Sequence, residues 1–139
     1  MRLAQITALT ASLLSACLLT GTAFAGCKEN FTAEGLPLFS QIQYKSHAVF
    51  KGLDRTTAAK RIAARLKAEG FSGVKRDGGV VTAWQEATGS GRPQTLRFIV
   101  TEAKGKTTVE GIFTIQQGQV AGKRAVRDNL CKVIEIAGG

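Results

Sequence analysis

The sequence predicts an α+β domain: an antiparallel sheet of four or five strands with two helices packed on one face, in the order β-α-β-β-β-β-α. Three observations predict it. Several short runs alternate apolar and polar residues with a period of two, the mark of half-buried strands. Two longer segments carry apolar residues at helical spacing. Asp77-Gly78-Gly79 and Lys104-Gly105-Lys106 separate consecutive strand runs by tight turns, which favours antiparallel neighbours.

Taken in order, residues 26 to 40 read as irregular. Gly35 and Pro37 interrupt regular structure, and Leu36, Leu38 and Phe39 are expected to pack inward as a plug. Ile42 to Lys51 alternates, with Ile42, Tyr44, Ala48 and Phe50 on one face and Ser46 as the polar exception. A helix follows. Asp54 or Thr56 can cap it by accepting from an orphan amide, and Ala58, Ala59, Ile62, Ala63 and Leu66 form its apolar stripe. Gly70 supplies a left-handed stop that folds Phe71 back against Leu66. Val74–Arg76 and Val80–Ala87 flank the first turn as strands, and residues 88 to 93 form a polar connection. Leu96, Phe98 and Val100 alternate with Arg97, Ile99 and Thr101. After the second turn, Val109, Gly111, Phe113 and Ile115 alternate with Glu110, Ile112 and Thr114. The last helix spans about Lys123 to Ala137, with Val126, Leu130, Val133, Ile134 and Ala137 on one face and Cys131 at its edge.

The layout from Phe50 to the end of this helix includes a strand, a capped alanine-rich helix, Glu69-Gly70-Phe71 and Asp77-Gly78-Gly79-Val80-Val81-Thr82-Ala83. It resembles small uncharacterised exported proteins and lipoproteins of Gram-negative envelopes. That resemblance implies an envelope protein without enzymatic activity and carries over no functional residues.

The first 25 residues read as a cleaved secretion leader. Met1-Arg2 is a short positive start, Leu3 to Leu19 is uncharged, and Ala23-Phe24-Ala25 places small residues where a signal peptidase inspects them. The run is broken by Gln5, threonines and serines, and is shorter than the roughly 20 strongly apolar residues of a membrane span. Residues 26–139 then form one domain in the periplasm or outside the cell. A second reading is lipid anchoring, since Leu14-Ser15-Ala16-Cys17 matches a lipobox in residue type and Phe24-Ala25-Gly26-Cys27 is a looser one, with Phe where Leu is usual. On the preferred reading Cys17 leaves with the leader, and Cys27 and Cys131 are expected to form a disulfide in an oxidising compartment. Two distant cysteines and one histidine lack the spacing of a metal site.

The chain carries 19 Lys and Arg against 10 Asp and Glu in 139 residues, a net charge of +9, and the leader removes only Arg2 from that excess. Such a balance favours an anionic lipid or lipopolysaccharide surface as partner; an envelope protein is the other expected partner. Nucleic acid fits the charge, but the compartment and the 6% aromatic content argue against a stacking platform. No cofactor is expected, because the glycines at 89 and 91 are not followed by the lysine-serine pair of a phosphate loop. Catalytic residues are not expected either. Ser46 and His47 are adjacent on a strand, so they point to opposite faces, and nothing selects a pair among the scattered carboxylates.

Candidate binding residues remain. Trp84, the sole tryptophan, belongs either to the core or to an open sheet face beside Arg97; the core is the preferred reading. Lys60, Arg61, Arg65 and Lys67 line the first helix and could merge with Lys123, Arg124, Arg127 and Lys132 of the second into a basic surface. A merely solvated helix face explains the same residues equally well.

Overall fold

A computed structural model of the chain describes residues 26–86 and 91–139. The preferred cleavage point, Cys17 and the centre of the 88–93 connection lie outside the described residues. Six strands and two helices follow one another: β1 (Thr32–Glu34), β2 (Ile42–Lys51), α1 (Arg55–Ala68), β3 (Ser72–Asp77), β4 (Val80–Gln85), β5 (Gln94–Ala103), β6 (Lys106–Ile115) and α2 (Lys123–Gly138). The strands make one antiparallel sheet in the order β1-β2-β6-β5-β4-β3. This is the expected α+β layout with one more strand than the four or five expected. The addition is β1, an exposed three-residue edge strand inside the segment read as irregular.

Alternation does what the periodicity implies. Ile42, Tyr44 and Ser46 of β2, Val81 and Ala83 of β4, Leu96, Phe98 and Val100 of β5, and Val109, Phe113 and Ile115 of β6 are buried on one side. Both helices cover that side, α1 over β3, β4 and β5, and α2 over β2 and β6. Burial of this apolar layer, at about 25 cal/mol per Å² removed from water, is the main source of stability.

The start of α1 is fixed by Asp54, whose carboxylate accepts from the Thr57 amide at 2.7 Å and from the Thr57 hydroxyl at 3.0 Å. Its end is the expected glycine stop: Gly70 adopts φ 84°, and the Phe71 amide donates to Leu66 O at 3.0 Å. Thr107, buried in β6, donates its hydroxyl to Leu53 O at 2.5 Å and anchors the chain leading into α1.

The polar exception Ser46 lies directly opposite Gly111. A Cβ on Gly111 would meet Leu130 Cδ1 and Phe98 Cε1 at 2.8 Å, so the missing side chain lets α2 lie close to the sheet. Ser46 donates its hydroxyl to Cys27 O, and its oxygen lies 3.2 Å from Cys27 Sγ. Directly above it, Cys27 and Cys131 are joined in the expected disulfide, spanning 104 residues of chain.

For a loop of this length the chain-entropy account gives about 4.7 kcal/mol as an upper figure, so reduction, or a Cys27→Ala/Cys131→Ala double variant, should cost about 2–5 kcal/mol in denaturant unfolding. The Thr57 amide, then its hydroxyl, hold the Asp54 carboxyl below the ordinary aspartate value, with Lys60 adding to the effect. A depressed folded-state pKa contributes stability that is present above the unfolded value and disappears as pH falls through the folded one. Asp54→Asn should therefore flatten the acid limb of the stability profile, measured by thermal melts between neutral pH and pH about 3.

Candidate functional site

The sheet has a second face that no helix covers. Sequence neighbours of the buried residues point there, and the register arranges them in rows across the strands. One row reads Lys45, Ile112, Arg97, Thr82 and Lys75, from β2 through β6, β5 and β4 to β3. Its three cations sit on alternate strands, so successive ones are about 10 Å apart by the strand spacing of 4.7–4.9 Å. The next row towards the sheet end reads Gln43, Thr114, Thr95, Trp84 and Ser72. Lys51 and Lys106 face each other at the far end. Like charges placed directly opposite are unfavourable for the sheet alone. Glu34, Asp77 and Glu110 share this face, and Glu34 pairs with Lys45 at 2.8 Å, but the cations outnumber them.

Trp84 is on this face and 42% exposed, because Val81 and Ala83 take the core side. The preferred core reading of Trp84 is thus corrected by the register of β4. Its indole lies over a β-bulge between Ser72 and Lys75, where Gly73 adopts φ 59°. A Cβ there would come within 2.3 Å of Trp84 Nε1. Glycine at 73 is what lets the ring lie down. Trp84, Gly73, Lys75, Thr82, Thr95 and Arg97 together line a shallow groove of about 390 Å³. An aromatic plate flanked by a guanidinium, an ammonium and two hydroxyls can stack on an apolar surface while its cations meet anionic groups.

Of the candidate residues, Trp84 and Arg97 are therefore neighbours. Lys60, Arg61, Arg65 and Lys67 are on the opposite side of the molecule, in the helix layer. Two of these have structural partners. Arg61 donates to Ala137 O at 3.1 Å, tying α1 to the end of α2, and Arg65 pairs with Glu69 at 2.5 Å. In α2, Arg127 pairs with Asp128 at 3.1 Å. Lys75 was missed because an exposed residue in a short bulged strand gives no periodic signal.

A second concavity, of about 480 Å³, opens on the helix side between the end of α1 and the first half of α2. Its floor is apolar, with Leu66, Leu96, Phe98 and Leu130. At its edge Gln85 donates to Gln94 Oε1 at 2.9 Å.

Ser46 and His47 do point to opposite faces. The serine is buried under the disulfide, and the histidine is exposed opposite Glu110. Among the described residues, no group of three or more His, Cys, Asp or Glu is placed to hold a metal ion, and no helix is long and apolar enough to cross a membrane. No known protein-family model matches the chain, and no curated protein matches it either.

Gly73→Ala tests the groove. It forces a left-handed alanine, costing about 1–2 kcal/mol, and drives the new methyl into the indole. The expected result is lower stability with a shifted Trp84 emission spectrum; an unchanged spectrum would contradict the stacked geometry.

Proposed function

We propose that this chain is a non-enzymatic binding module of the bacterial cell envelope, which uses the open face of its sheet to hold an anionic surface. The carrying observation is the row Lys45, Arg97 and Lys75 beside exposed Trp84, in which Lys45 is shared with Glu34 while Arg97 and Lys75 flank the indole groove. Two further features support the reading. The net charge of +9 draws the domain to anionic partners over distance. The Cys27–Cys131 bridge suits an oxidising compartment, periplasmic or extracellular, as does the leader-like sequence of residues 1–25. Anchoring through Cys27 requires a sulfur that the bridge already occupies. An acidic partner protein would meet the same groove and is distinguished by the test below.

Because Trp84 is the sole tryptophan, its fluorescence reports on this face alone. Titration of the oxidised protein with phosphatidylglycerol-containing vesicles at low salt should shift its emission to shorter wavelength. Salt near 0.5 M should largely reverse the shift by screening, and neutral vesicles should produce little change. If neither anionic vesicles nor lipopolysaccharide alter the emission at low salt, the electrostatic reading fails and an acidic protein partner takes its place.

A further inference from the structure

Five large apolar side chains are exposed among the described residues: Leu36 at 66%, Leu38 at 62%, Phe39 at 79%, Trp84 at 42% and Val120 at 84%. They are scattered in sequence but belong to one end of the sheet. Leu36, Leu38 and Phe39 lie in the turn joining β1 to β2, Val120 in the connection from β6 to α2, and Trp84 in the penultimate position of β4. The expected inward plug is absent; these three residues of the turn point to solvent.

The turn is built rather than loose. The Phe39 and Ser40 amides donate to Leu36 O at 3.1 and 3.0 Å, and the Leu36 amide donates to Ser40 Oγ at 2.9 Å. The Gln117 side chain donates to Leu38 O at 3.2 Å, and Gln41 donates to Gln116 at 2.8 Å, which fastens the turn to the Val120 connection. That connection is held from below by Tyr44, whose hydroxyl donates to Ala121 O at 3.3 Å. Leu38 is fixed at φ 72°, a left-handed conformation that a leucine adopts only at a cost. A soluble surface gains nothing from holding three large apolar side chains outward in this way.

Cations stand behind this apolar end. Lys123 and Arg124, both exposed, open α2 just after Val120, at a helix end where positive charge is unfavourable. The Lys45, Arg97 and Lys75 row lies one side-chain repeat behind the Trp84 row, about 7 Å along the strands. Of the nearby acids, Glu34 pairs with Lys45 and Glu69 with Arg65, while Glu86 is exposed just beyond Trp84. An apolar tip with cations roughly 7 Å behind it matches the boundary of an anionic bilayer, where side chains enter about 5–10 Å and cations meet the head groups.

We infer that this end of the sheet docks on an anionic phospholipid bilayer, with Leu36, Leu38, Phe39 and Val120 entering the interfacial layer and Trp84 at head-group depth. The inference rests on the anionic partner proposed above and narrows it to a phospholipid bilayer.

The test uses the oxidised protein, vesicles with and without phosphatidylglycerol, and three variants. L36S/L38S/F39S changes only exposed side chains, and its melting curve controls for folding. It should bind anionic vesicles at least about tenfold more weakly and lose whatever binding survives high salt. F39W in a W84F background, compared with W84F alone, should show an indole quenched by vesicles whose acyl chains carry bromine. K75E/R97E reports on the sheet face. Retention on vesicles without quenching of the F39W indole overturns the insertion and leaves the sheet-face reading standing. Quenching with K75E/R97E binding undiminished overturns the sheet-face reading and leaves the insertion. No retention of the wild type on anionic vesicles overturns the insertion; a lack of response to lipopolysaccharide as well overturns the sheet-face reading. Loss of a wild-type dimer, rather than of vesicle binding, in the triple variant makes this end a contact between two copies and overturns the inference.

Discussion

The packing of α2 against β2 and β6 governs the rest of the molecule. It depends on two small residues facing each other, Ser46 and Gly111, which leave room for Leu130, Ile134 and the Cys131 sulfur at close range. The Cys27–Cys131 bridge then fastens the chain just before β1 to that helix. With α2 seated, α1 has one place to go, over β3 to β5, and Arg61 closes the seam by donating to Ala137 O. A larger residue at 111 would push α2 outward and open the apolar layer at its centre.

Two helices cover one side of the sheet, so the other face is left open, mixing Val49, Val80, Ile99 and Ile112 with polar and charged residues. Its composition is not neutral filling. Threonines 82, 95, 108 and 114 give it β-branched, hydrogen-bonding positions, and the cations Lys45, Arg97 and Lys75 fall into register only because their strands pair as they do. Cations in the helix layer answer a different need. Arg61 and Arg65 satisfy a helix-end carbonyl and a carboxylate. Cations with structural partners thus occur in both layers, Arg61 and Arg65 among the helices and Lys45 on the sheet, and Arg97 and Lys75 extend the row across the open surface.

Much of the fold was legible in the sequence, because periodicity is a backbone property that tertiary context seldom overrides in long amphipathic runs. β2, β5, β6 and both helices are of that kind, and the Asp54 cap and Gly70 stop carry their own local chemistry. β1 was not legible: three exposed residues gain their strand geometry from pairing with β2, not from any pattern of their own. The outward turn was misread because Leu36, Leu38 and Phe39 are apolar, and apolarity signals burial whenever only the chain's own core is considered. Trp84 was ambiguous for a plainer reason. On a strand of six residues, either alternate set could be the buried one until Val81 and Ala83 were seen against α1. Ser46 was visible as an exception to its face, yet its role needed the disulfide to be placed above it.

The claim on which the functional account turns is that position, not total charge, makes this surface. Two charge-reversed variants of equal net charge separate these: K75E/R97E on the open sheet face and K60E/K67E on the helix layer, each assayed for retention on phosphatidylglycerol vesicles at low salt. The account predicts that the first loses most of its retention and the second keeps nearly all of it. Equal losses in the two would mean that the anion senses only the overall charge, and the open face would have no claim to be a site.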